Sequence, residues 1–167
     1  MPRNVAPRIF RSILCPIDFS NNSRAALRYA AMLARLSDAH LLVLYVNDPL
    51  LATAATTRPD AEAILASTEN DLCRFVSTAV SKPTPPIAAT LLTVAGKPAQ
   101  EILKAAERHD CDLIVMGYRG VGRASRLLFG STTGGVVRAS STPVLAVPPA
   151  RRRARLPVVR TGLRRAS

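Results

Sequence analysis

Leu113-Ile-Val-Met-Gly117-Tyr-Arg-Gly120-Val-Gly-Arg-Ala-Ser-Arg-Leu-Leu-Phe-Gly130-Ser131-Thr132 is an apolar run ending in glycine, then a loop, then a glycine followed by two hydroxyl residues. Four consecutive apolar residues suit a strand buried on both faces, as in a parallel sheet. Glycine is needed where backbone turns sharply or approaches a bulky anion closely, and Gly117 and Gly120 stand where strand gives way to loop. Gly130 and Ser131 stand at the start of a helix expected over 131–139. A helix start offers free N–H groups and the positive end of the dipole, which together attract anions. Ser131 and Thr132 add hydroxyl donors. This is phosphate-binding chemistry built from backbone, and the Walker pattern GxxxxGK[ST] is absent from the sequence. One glycine pair alone would read as a loop capped at a helix start. Here the motif lies between a strand and a helix, and a second apolar run ends in a carboxylate, Asp18.

That second run, Ser12-Ile-Leu-Cys-Pro-Ile-Asp18, is the first expected strand. Ser20-Asn-Asn-Ser23 follows it with oxygens able to cap a helix. The spacing of Ala26, Tyr29, Ala30, Leu33 and Leu36 predicts the buried face of that helix, with Arg24, Arg28 and Arg35 elsewhere. His40-Leu-Leu-Val-Leu-Tyr-Val46 is the second strand, stopped by Asn47-Asp48-Pro49. Asp60 can cap a second helix carrying Leu65, Leu72, Phe75, Val76 and Ala79, which Pro83, Pro85 and Pro86 terminate. Ala88 to Val94 gives a third strand, and Pro98 opens a third helix with Ile102, Leu103 and Ala106. Val144 to Val147 is the fifth strand, closed by Pro148-Pro149. This βαβαβαβαβ order predicts an α/β fold, an open parallel sheet with helices on both faces. His109 reads as a helix C-terminal cation or surface residue, and His40 as a strand end.

The expected domain spans 11–149, between an N-terminal arm over 1–10 and a basic tail over 150–167. The net charge of +12 invites a nucleic-acid reading, but Arg151, Arg152, Arg153, Arg155, Arg160, Arg164 and Arg165 supply seven of it without an acid. An arginine run of this kind is usually solvated, and the tail has no aromatic residue to stack on bases. Any nucleic-acid contact should then be weak, salt-sensitive and sequence-tolerant. Cys15, Cys73 and Cys111 are far apart without a CxxC pair, so they read as reduced thiols. No apolar run approaches the roughly 20 residues that span a bilayer, and the N-terminus has no signal-peptide pattern, so a cytoplasmic protein without a membrane partner is expected.

The spacing G-x2-G-x9-G-[ST], read at Gly117, Gly120, Gly130 and Ser131, resembles the ATP motif of the universal stress protein family. The resemblance covers 11–148 and includes Ile13-Leu-Cys-Pro-Ile-Asp18, Leu44-Tyr-Val46, Asp112-Leu-Ile-Val-Met-Gly117 and Thr142-Pro-Val-Leu-Ala-Val147. It implies a Rossmann-like five-stranded parallel sheet of order 3-2-1-4-5, with a ligand site at the switch point between strands one and four. It implies that Ile17 and Asp18 contact the adenosine moiety and that Val46 offers backbone to adenine. Gly117, Gly120, Gly130, Ser131 and Thr132 would hold ribose and phosphates, with any Mg2+ held mainly by the phosphates. It further implies a homodimer through strand five, Val144, Leu145, Ala146 and Val147. Gly134-Gly135 departs from the polar residues common in the family, at a cost of roughly 1 kcal/mol per glycine in a helix.

Arg119, Arg123 and Arg126 could neutralise a triphosphate or be solvated loop charges. The loop has no His, Glu or Gln in an evident water-positioning role. The sequence therefore reads as an ATP-binding stress-response regulator with at most slow hydrolysis. A partner-dependent ATPase and a weak nucleic-acid binder acting through the tail are the alternatives; the glycine spacing favours ATP over flavin.

Overall fold

The computed structural model describes residues 9–47, 61–80, 88–118 and 129–148, of which 61–67 are described by backbone alone. Residues 1–8 of the flanking arm, Gly120, the three loop arginines, the proline cluster after the second helix and the basic tail lie outside the described residues.

Among the described residues nine elements alternate: β1 (Ser12–Ile17), α1 (Asn21–Ser37), β2 (His40–Asn47), α2 (Ala61–Ala79), β3 (Ala89–Ala95), α3 (Pro98–Arg108), β4 (Leu113–Gly117), α4 (Ser131–Ala139) and β5 (Val144–Val147). The five strands form one parallel sheet of order β3-β2-β1-β4-β5. β2 pairs with β1 from Ser12↔His40 to Ile17↔Tyr45 and with β3 from Leu41↔Ala89 to Asn47↔Ala95. The β1–β4 ladder covers only Ile13↔Leu113 and Leu14↔Ile114. Pro16 has no N–H to donate to a neighbour, and the ladder to β4 stops before it.

Strand alternation divides the core into two layers. Ile13, Cys15 and Ile17 point to one face, where they meet Ala26, Leu27, Ala30 and Ala34 of α1 and Leu72, Phe75 and Ala79 of α2. Leu14, Leu42 and Leu44 point to the other, against Ile102, Ala105 and Ala106 of α3 and Val136 of α4. Burial pushes the Cys15 thiol pKa up, because a thiolate there would lose its hydration. All three cysteines are free.

The buried face of α1 is built from Ser23, Ala26, Leu27, Ala30, Ala31, Ala34 and Ser37. Ala26 and Ala30 lie where their spacing predicts, but Tyr29 and Leu36 are exposed, Leu36 at 74%. Small side chains let the helix axis approach the sheet, and that rotates the larger residues outward. α3 begins with Pro98 in its first turn, as its sequence predicts, and Ile102 and Ala106 face inward. The costly Gly135 of α4 has a packing reason: a Cβ there would lie 3.1 Å from the Ala99 Cβ of α3. Among the described residues no helix is long and apolar enough to cross a membrane.

Candidate functional site

In this strand order β1 and β4 are neighbours whose following helices lie on opposite faces: α1 on one, α4 on the other. A crevice at the carboxyl ends of two such strands is where open α/β sheets place their ligands. Ile17 finishes β1 with Asp18 directly after it, Val46 is the penultimate residue of β2, and Gly117 finishes β4. Ile17 is buried, while Asp18, Val46 and Gly117 are half-buried.

Two helix N-termini converge on Gly117. A Cβ at Gly117 would stand 2.9 Å from the backbone carbonyl carbon of Asn22, in the first turn of α1. From the other side, the buried Thr133 hydroxyl of α4 donates to the Gly117 carbonyl at 2.9 Å. The glycine at 117 is therefore required by packing against α1, a reason distinct from the phosphate approach expected from the motif. Just beyond it, the Gly130 N–H donates to the Tyr118 carbonyl at 3.2 Å and the Tyr118 N–H to Val147 at 2.7 Å. The Tyr118 and Phe129 rings lie 5.1 Å apart. These contacts join Tyr118, Phe129 and Gly130 at the carboxyl end of β4.

The two helix starts differ in how their amides are satisfied. At α1 the Ser20 side chain caps the Ser23 N–H at 3.1 Å, and the Ser23 hydroxyl donates to the Ser20 carbonyl at 3.0 Å. The Asp18 carboxylate accepts from the Ser20 N–H at 3.1 Å, closing an Asx-type turn. At α4 the N-cap is Gly130, which has no side chain to cap with, and the first turn holds no acidic residue. Its φ of −63° and ψ of 160° are open to any residue. Backbone conformation thus places no demand for glycine at 130; what the residue supplies is a helix start without a side-chain cap from its N-cap residue. Ser131 is exposed and Thr132 half-buried there.

Phe19 follows Asp18 with φ of +58°, a left-handed conformation uncommon for a bulky side chain. Its ring lies 4.7 Å from that of Tyr45 and meets Phe75 edge-on at 5.4 Å. Arg24 stacks 4.2 Å above the Phe75 ring and donates to Thr78 at 2.8 Å. Burial raises the Tyr45 phenol pKa, and the charge of Asp18 raises it further. The sequence offered no signal for Phe19, since residue type alone does not announce a positive φ. The packing role of Asn22 was equally hidden; the Ser20-Asn-Asn-Ser23 pattern announced only the cap.

The chain was compared with known proteins. The model of the "Universal stress protein family" matches residues 9–148. A universal stress protein of Thermus aquaticus is 32% identical over 155 residues, covering 83% of this chain and 99% of the relative. Universal stress protein MJ0577 of Methanocaldococcus jannaschii is 28% identical over 158 residues, covering 83% of this chain and 95% of the relative. The solved structure of MJ0577 superposes with a TM-score of 0.70 at 26% identity, over 86% of this chain and 99% of that one. A universal stress protein solved in complex with cAMP shares the fold at a TM-score of 0.61 and 22% identity, covering 84% of this chain and 98% of that one.

Proposed function

The chain belongs to the universal stress protein family, and from that premise we propose that it binds ATP in the crevice between β1 and β4 and acts as a nucleotide-dependent stress-response regulator. The observation that carries this reading is the convergence of two helix N-termini on Gly117, one of them begun by a glycine that offers its amides no side-chain cap. Such a start favours phosphate through its N–H groups and its dipole. The family member solved with cAMP lends support to an adenine nucleotide.

In this reading Ser131, Thr132 and Gly130 hold phosphate, with Gly120 of the motif, and Ile17, Asp18 and Val46 line the adenosine end. Asp18, an acceptor at the end of β1, suits a ribose hydroxyl or an exocyclic amine. Among the described residues no three His, Cys, Asp or Glu side chains are placed to hold a metal ion together, and an accompanying Mg2+ is assigned mainly to the phosphates. Hydrolysis is proposed to be slow at most. Calorimetric titration tests the reading: ATP should bind one per chain and at least about tenfold tighter than adenosine, since the helix start contacts only phosphate. Absence of ATP binding, or equal affinity for adenosine, would refute it.

A homodimer through β5 forms part of the proposal. β5 is an edge strand carrying Leu145, 38% exposed, with Pro143 and Pro148 limiting the pairing at its ends. Identical edges paired antiparallel close a two-fold assembly. Sedimentation should show a dimer for wild type and a shift towards monomer for a folded Leu145→Pro variant; a monomeric wild type at micromolar concentration would exclude this assembly.

A further inference from the structure

A left-handed phenylalanine has to be held in place by its surroundings. Backbone of this kind costs on the order of 1–3 kcal/mol and persists where neighbouring structure over-determines it. At Phe19 the restraint is aromatic: its ring is packed against Tyr45 of β2 and edge-on against Phe75 of α2. Phe75 is 5% exposed, and its outer face is covered by Arg24, itself bonded to Thr78 one turn further along α2. The residue before this turn is Asp18 and the residue after it is Ser20, whose N–H donates to the Asp18 carboxylate. The direction of that carboxylate therefore depends on the φ of Phe19, and that φ depends on the ring cluster.

We infer that Phe75, on α2, is a positioning residue for the nucleotide site: through Phe19 and Tyr45 it holds the left-handed turn that sets the Asp18 carboxylate. The inference rests on the reading of the crevice as an ATP site and adds to it a determinant outside the motif. Phe75 needs no contact with nucleotide for this role. It acts by excluding the alternative backbone states into which Phe19 would otherwise relax, taking Asp18 with it.

A double-mutant cycle separates positioning from general stability. ATP is titrated calorimetrically into wild type, Phe75→Leu, Asp18→Asn and the double variant, each checked for folding. Phe75→Leu should weaken ATP binding about fivefold on its own and have no further effect once Asp18 is Asn. A ligand-free measurement accompanies it. Exchange of the Ser20 amide should accelerate about fivefold in Phe75→Leu, while the amides of Ala30 and Ala31 in the middle of α1 keep their wild-type rates. Phe19→Gly provides a second route: glycine tolerates the positive φ without strain, yet without the ring the turn is no longer locked, so ATP affinity and Ser20 exchange should change in the same way. Should Phe75→Leu fail to fold, the cycle is run on Phe19→Gly. Additive losses in the cycle, or unchanged Ser20 exchange, would overturn the inference and leave the ATP reading standing. A wild type that binds no ATP would overturn both.

Discussion

The two helix starts that meet at Gly117 are built from similar residue types and do different work. α1 begins with Ser20, whose oxygen takes the Ser23 N–H, while Asp18 takes the N–H of Ser20. A side-chain oxygen thus takes one of the helix's orphan amides. α4 begins with Gly130, so the same positions are lined by Ser131 and Thr132 without a side-chain cap from the N-cap residue. A Ser or Asp cap at 130 would add only about a few tenths of a kcal/mol over glycine. Under the proposed function the two starts divide the labour: the α1 start fixes the architecture of the crevice, and the α4 start takes phosphate.

Three substitutions probe this contrast, in decreasing order of effect on stability. Gly117→Val comes first, because its Cβ would stand 2.9 Å from the Asn22 carbonyl carbon, which is backbone and cannot swing aside. Overpacking of this kind should cost about 2–3 kcal/mol, measured by chemical denaturation. A neutral effect would mean that the start of α1 moves freely, against the architectural role given to it. Ser20→Ala comes next. Loss of the cap should cost about 1 kcal/mol and leave ATP affinity within about twofold of wild type, because the capped amide belongs to the α1 start. An affinity loss of tenfold with retained folding would mean that the α1 start also touches nucleotide.

The sequence made the strands legible because four or five apolar residues in a row have few alternatives in a chain of alternating elements. The helix starts were legible too: Pro98 and Gly130-Ser131 stand where their local chemistry puts them. The buried face of α1 was only half legible. Helical spacing pointed to Tyr29 and Leu36, but alanines 26, 30, 31 and 34 face the sheet, and periodicity weighted by side-chain size follows the larger residues. In the site, Ile17, Asp18, Val46, Gly117, Ser131 and Thr132 stand at or next to strand ends and a helix start; their contacts with ligand belong to the proposal. What could not be read was tertiary. Gly117 is demanded by Asn22, almost a hundred residues earlier in the chain, and Gly135 packs tightly on Ala99. The turn at Phe19 depends on a ring from α2, and no local pattern carries that dependence.

The third and smallest effect on stability belongs to Ser131→Asp, and it is also the most direct test of the central claim. Ser131 is exposed in the first turn of α4. A carboxylate there complements the helix dipole and should stabilise the fold by about 0.3–1 kcal/mol. The same charge would stand where phosphate is proposed to sit, so ATP affinity should fall by at least about tenfold, while adenosine affinity stays within about twofold of wild type. Denaturation and calorimetry on the one variant read both quantities. Opposite signs, a fold made no weaker and ATP binding lost, are what a helix start that takes phosphate predicts. A variant that is equally stable or more stable and binds ATP as tightly as wild type would contradict it.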